Sequence, residues 1–332
     1  MAQQIEWLDA HLDLAYLALG GRDMSVPLSR AKGGPQPAGV TLQSLSDGKV
    51  RWAFATVFTG AGFSGPGGYP SSEDLESAYA AGVAQLEVYE RWEEAGLISI
   101  VRTADELQPA DGALSVVLLM EGADPIRHPA EALWWHRKGI RLVGMSWWSG
   151  SRYAGGNGKP GPLTEAGTEL VAALDELGII HDVSHLSDEA ADGLLQATAL
   201  PVVASHSNSR QLMDGKDQRH LTDELAAEIG KRSGVIGLNL CTRFLTMKER
   251  RATIEETVAH VERFAGIMGH RRGVGLGSDM DGGFGADQLP AGISQPRDLQ
   301  LLADGFAAAG WNDEDISGFA SDNWLGFLRR NL

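Results

Sequence analysis

Gly178-Ile179-Ile180-His181-Asp182-Val183-Ser184-His185 holds in one short stretch the pattern that decides the fold: a glycine, a β-branched run, then polar residues. The same order recurs at Gly139-Ile140-Arg141-Leu142-Val143, at Gly234-Val235-Ile236-Gly237-Leu238 and at Gly273-Val274-Gly275-Leu276. Each glycine can take the left-handed conformation that ends a helix, and each run has the length and branching of a buried strand. Strand-like runs near 5–12, 50–59, 114–121 and 201–206 raise the number of strands to eight. Helical patterns at 71–95, 164–177, 187–197, 222–231 and 254–269 fall between them. Strands alternating with helices predict a parallel sheet, and eight such units predict a closed (β/α)8 TIM barrel in the α/β class. A doubly wound open sheet is the structural alternative. No Pro-, Gly- or Ser-rich linker divides the chain, so 1–332 reads as one domain. Segments 20–49 and 60–70 read as long loops after strands one and two, at the end where barrels place function.

The ends of the predicted strands carry the chemistry. Strand one ends Asp9-Ala10-His11-Leu12-Asp13, strand three Met120-Glu121-Gly122, strand five Asp182-Val183-Ser184-His185 and strand six Ala204-Ser205-His206-Ser207. Strand eight ends Gly277-Ser278-Asp279-Met280-Asp281-Gly282. Residues i and i+2 of a strand point the same way, so His11 and Asp13 can reach one metal. Glu121, His185 and His206 converge on the same end of the barrel. Any one of these histidines alone reads best as a satisfied core or turn residue; five donors at one end of the strands do not. Mixed nitrogen and oxygen donors suit Zn²⁺ and neighbouring divalent ions. The set is too large for one tetrahedral ion, so two ions bridged by a carboxylate are expected, holding a hydroxide and polarising a carbonyl. Asp279, on the last strand, is the expected proton carrier.

Composition narrows the alternatives. With 44 acidic and 28 basic residues the formal net charge is −16, which disfavours nucleic acid and anionic membrane as partners, although solubility alone explains such a surface. An apolar fraction of 43% allows a sizeable core. The single cysteine, Cys241, excludes an intrachain disulfide and a thiolate zinc cluster. The N-terminus lacks a basic region followed by a long apolar run, and no stretch of about 18 apolar residues occurs, so a cytoplasmic protein is expected.

These motifs, in this order, resemble the renal (membrane) dipeptidase family of metallopeptidases, peptidase family M19, and the resemblance runs from the first strand to near the C-terminus. It implies that His11, Asp13, Glu121, His185 and His206 bind two zinc ions per chain, with Glu121 as the bridge and Asp279 as the catalytic carboxylate. It also implies that Arg219, in Gln218-Arg219-His220-Leu221, holds the terminal carboxylate of a small peptide substrate, and that the protein forms a homodimer. One position departs from the family pattern. Where relatives carry a substrate-contacting histidine after strand four, this chain reads Gly144-Met145-Ser146-Trp147-Trp148, which puts Trp147 against the substrate. An indole donates one hydrogen bond but cannot carry charge. The expected activity is hydrolysis of dipeptides, with a D-residue at the C-terminal position left open. The alternatives are a metal-binding paralogue with weakened catalysis and a related barrel amidohydrolase acting on another amide.

Other signals are set aside. Gly60-Ala61-Gly62-Phe63-Ser64-Gly65 fits a dinucleotide fingerprint, but Pro66-Gly67-Gly68-Tyr69-Pro70 follows and cannot open the required helix. His181 and His185 have the spacing of helical zinc proteases but fall on a strand, so His181 is read as a hydrogen-bonded residue deep in the barrel. His136, His260 and His270 are read as surface residues of outer helices. Trp134-Trp135 reads as packing, while Trp147-Trp148 is equally a pocket wall or core. No G-x-S-x-G elbow occurs, and no lysine sits where carbamylated relatives bridge their metals, Lys138 preceding strand four.

Overall fold

The computed structural model describes residues 5–109 and 112–332; residues 1–4 of the N-terminal stretch read for a leader lie outside them. Eight strands form the ring: β1 (Trp7–Leu12), β2 (Val50–Phe58), β3 (Leu114–Glu121), β4 (Ile140–Gly144), β5 (Ile180–Asp182), β6 (Val202–Val203), β7 (Ile236–Leu238) and β8 (Val274–Leu276). From β1 to β6 each strand pairs in parallel with the next, and β7, β8 and β1 continue the ring. A parallel bridge between Ala204 and Ile236 closes it. The closed barrel is therefore the observed fold, not the open sheet.

The helices begin where the sequence signals a cap. Thr164, Ser187, Thr222 and Thr253 each accept a backbone N–H of the first turn of the helices Glu165–Glu176, Asp188–Ala197, Asp223–Lys231 and Ile254–Met268. Several elements are additional to the sequence reading. A short strand Ile98–Ile100 pairs with the first residues of β3, below the point where β4 joins at Leu118. A short helix Leu14–Leu19 follows β1 directly, the segment 20–49 read as a loop carries a 3-10 turn Leu28–Arg30 and the helix Leu42–Asp47, and the one after β2 pairs Gly60–Ala61 with Gly68–Tyr69.

Strand alternation explains how the barrel presents its site. In β2, Trp52 and Phe54 point inward, and in β3 Val117 and Leu119 do; Leu142, Ile180 and Val203 join them in one buried cluster. The C-terminal helix Asn323–Asn331 plugs this layer from below, its Trp324 ring 4.9 Å from Phe54 and its indole N–H donating to Leu276 O at 3.1 Å. Continuing up each inward row by two residues gives Thr56 and Phe58 on β2 and Glu121 on β3. The apolar plug thus gives way to polar groups at the carboxyl ends of the strands. Between β6, β7 and β8 the backbone itself closes in: a Cβ on Gly237 would lie 1.9 Å, and on Gly277 1.8 Å, from Ser205 O. Only glycine allows that approach, which packs the ends of β6, β7 and β8 tightly together.

Candidate active site

His11, Asp13, Glu121, His185, His206 and Asp279 line one cavity of about 370 Å³ at the carboxyl end of the barrel. Asp13 lies beyond β1 as the residue that precedes the helix Leu14–Leu19, so its place beside His11 comes from the strand-to-helix turn and not from strand alternation. Thr56 donates to Asp13 Oδ1. His185 and Asp279 hold left-handed φ values of 67° and 58°, a conformation rare outside glycine, at the strand ends that deliver them.

Glu121 stands between two sets of imidazoles. Its Oε2 is 3.5 Å from His11 Nε2, while Oε1 is 3.1 Å from His185 Nε2 and 3.5 Å from His206 Nε2. The outer nitrogens fix the tautomers. His185 Nδ1 donates to Asn157 Oδ1 at 2.9 Å. Ser205 gives its own proton to Asp182 Oδ2, so its oxygen accepts from His206 Nδ1 at 2.8 Å. Both Nε2 atoms are then lone pairs, yet they face each other at 3.1 Å. Glu121 Oε1 beside them is buried and makes no hydrogen bond. Three acceptors with no donor among them call for a cation, and hydrogen bonds to the outer ring nitrogen are how proteins orient metal-binding imidazoles. Donor atoms of His11, Glu121 and His206, and of His11, Asp13 and Asp279, lie within 4.8 Å of one another.

The electrostatics agree. Burial disfavours charge on His11, but Glu121, Asp13 and Asp279 outweigh it and raise the ring to about 10. Burial, reinforced by Arg219, pushes His185 down to about 4 and His206 well below its ordinary value. Burial opposes the charge on Glu121 too, yet the charged His11 beside it holds it below the usual carboxylate range. The cluster stabilises added positive charge near Glu121 while keeping two imidazoles neutral. Burial lifts Asp279 to about 7, with Asp13 and Glu121 adding to the rise and His11 and Arg219 opposing it. Asn239 Nδ2 donates to Asp279 Oδ2 at 2.8 Å, and Asn239 is itself fixed because Cys241 N donates to its Oδ1 at 2.7 Å.

Arg219 is 4% exposed and lines the cavity. It donates to His206 O at 2.7 Å and Ser207 Oγ at 3.3 Å, and its Nε has no partner. Trp147 is half-buried in the cavity wall, its ring centre 6.2 Å from that of His185, and Trp148 lies at the mouth, 53% exposed. The pair is a pocket wall.

Two histidines lie elsewhere than the sequence suggested. His260 is buried at 1%, and its Nδ1 accepts from Ser209 N, because it shares the inward stripe of Thr257, Val261 and Phe264. His181 is hydrogen-bonded, as expected, but to Asp175 of an outer helix at 2.7 Å; alternation with Ile180 and Asp182 turns it to the helix side of the strand. Sequence reasoning missed Asp9, Asp182, Ser205, Asn157 and Asn239, the residues that hold the candidate ligands and Asp279 in place. Asp9 accepts from Ser278 N at 2.8 Å and from His11 N at 3.2 Å, across two strands that meet only when the ring closes.

A model of the membrane dipeptidase family, peptidase family M19, matches residues 1–331. A Klebsiella pneumoniae protein described as an uncharacterized protein in the pqqA 5′ region is 30% identical over 249 residues, 71% of this chain and 89% of its own length. A metallo peptidase from Rhodobacter sphaeroides, solved with a phosphinate mimic of the dipeptide L-Ala-D-Ala, superposes with a TM-score of 0.85 at 26% identity, covering 99% of this chain and 100% of that one. The structure of dipeptidase AC, assigned to the same family, superposes with a TM-score of 0.84 at 27% identity over 99% of each chain. Among the described residues no helix is long and apolar enough to cross a membrane.

Proposed function

This chain belongs to the membrane dipeptidase family, peptidase family M19, and from that premise we propose that it is a dinuclear zinc dipeptidase acting on small peptides with a free C-terminal carboxylate. The observation that carries the reading is the set of facing acceptors: His185 Nε2, His206 Nε2 and Glu121 Oε1, with Glu121 Oε2 turned to His11. His11 and Asp13 would hold one ion, His185 and His206 the other, and Glu121 would bridge them. When bound, the two ions supply an activated water and a Lewis acid for the scissile carbonyl. The protein's own groups do the rest. Asp279 takes the proton of the nucleophile at Oδ1, since Oδ2 is engaged by Asn239, and passes it to the leaving amine. Arg219, buried and without a carboxylate partner, receives the C-terminal carboxylate of the substrate. The Rhodobacter relative's L-Ala-D-Ala mimic supports a substrate range that includes a D-residue at the C-terminal position.

Arg219→Ala is expected to lower kcat/KM at least about tenfold, because charge-assisted hydrogen bonds are worth about 1.5–3 kcal/mol and one decade needs about 1.4. Kinetics with C-terminally amidated dipeptides make the check specific. Amidation should cost the wild type heavily and Arg219→Ala little more; equal sensitivity in both proteins would place the carboxylate elsewhere. Trp147→His should change either turnover or substrate preference across a dipeptide panel. An unchanged profile would remove Trp147 from the substrate.

A further inference from the structure

The glycine-rich stretch Gly60-Ala61-Gly62-Phe63-Ser64-Gly65, which fails as a nucleotide loop, folds over the cavity. Gly60 in it, and Gly67 and Gly68 just after it, sit where the backbone presses on aromatic rings and neighbouring carbonyls. A Cβ on Gly60 would come within 2.8 Å of the Trp147 ring, on Gly67 within 2.4 Å of Phe58 O, and on Gly68 within 2.0 Å of Phe63 O. The fold-back delivers Phe63 to a continuous aromatic wall. Its ring centre is 5.4 Å from Phe58, 5.3 Å from Trp147 and 6.1 Å from Tyr16, and Phe58 is 5.0 Å from Trp147. All four rings line the cavity that holds the metal-binding cluster.

Phe58 and Phe63, at and just after the end of β2, lie across the strand ring from β6, the strand that precedes Arg219. Tyr16 and Trp147 follow β1 and β4. A dipeptide anchored by its carboxylate at Arg219, with its scissile carbonyl over the ligands, extends its N-terminal residue toward the wall. We propose that this wall is the subsite for the side chain of the N-terminal residue, that it selects bulky apolar side chains, and that Phe63 is its specificity-determining residue. The proposal rests on the dipeptidase reading with Arg219 at the C-terminal carboxylate. Phe63 and Trp147 are only half-buried, so an apolar side chain laid against them removes its own surface and theirs from water. A carboxylate side chain finds no cation among the four rings and would give up its hydration against them.

The test is steady-state kinetics of metal-loaded protein on dipeptides that share a C-terminal alanine and differ at the N-terminal residue: Phe, Leu, Ala and Glu. The wild type is expected to favour Phe and Leu over Ala by about tenfold or more in kcat/KM, with Glu poorest. Phe63→Ala should narrow the Phe-to-Ala ratio severalfold, and Phe63→Leu should keep most of it. A wild type that cleaves Ala-Ala as well as Phe-Ala overturns the proposal whether or not the variants fold. So does a Phe63→Ala variant that slows both substrates equally. Failure to cleave any member of the series, in contrast, overturns the dipeptidase reading itself.

Discussion

Asp279→Asn is expected to lower kcat by roughly 10²–10⁴-fold, the usual contribution of a positioned general acid–base group, while metal content stays close to that of the wild type. The substitution is suited to the question. Asparagine is nearly isosteric and, like aspartate, tolerates the left-handed φ of 58° at this position. Its amide can still present an oxygen to Asn239 Nδ2, so the wall of the site is preserved while the proton-accepting oxygen is lost. Burial lifts Asp279 to about 7, which favours its taking a proton, and a dication bound nearby would draw that value down. Single-turnover rates and elemental analysis on the same preparation separate the two effects. Near-normal turnover in Asp279→Asn would show that another group carries the proton.

Glu121→Gln is the more damaging change to the metal centre, because this one carboxylate faces all three imidazoles. The glutamine removes the negative charge that draws cations into the cluster and turns one of its two oxygen positions into a donor. Both ions are expected to be lost or greatly weakened, with kcat/KM falling at least about 10³-fold, as metal-assisted hydrolysis requires. The contrast with Asp279→Asn is diagnostic: one variant loses metal and activity together, the other loses activity alone. Inductively coupled plasma analysis of Glu121→Gln that still returns two ions per chain would remove Glu121 from the bridge.

The barrel was readable from the sequence because each helix stop, strand and cap is a local signal. Gly178 follows a helix end, Ile180–Asp182 make a strand, and Ser187 caps the next helix whatever the rest of the chain does. That His11, Asp13, Glu121, His185 and His206 gather in one cavity was readable because function collects at the carboxyl ends of the strands. Asp13 was found for an incomplete reason, since the turn into Leu14–Leu19, not strand alternation, sets it beside His11. The supporting residues were not readable. Asp182 is tied to Ser205 and Asp9 to Ser278, so each pair exists only after separate strands are adjacent. Asn239 and Asn157 carry no sequence mark that separates them from ordinary turn residues. His260 was within reach, because a helical wheel of Ile254–Met268 places it on the stripe of Thr257, Val261 and Phe264. The additional strand Ile98–Ile100 was also within reach, since Gly96-Leu97-Ile98 repeats the helix-stop pattern.

The central claim, two metal ions driving dipeptide hydrolysis at the Glu121 cluster, is tested most directly by titrating metal-stripped protein with zinc while following cleavage of an unblocked dipeptide. The account predicts that turnover rises to a plateau at about two equivalents per chain and that the C-terminally amidated analogue is a far poorer substrate at every point. Full activity at one equivalent would contradict the dinuclear centre, and no cleavage of any dipeptide at saturating zinc would contradict the function.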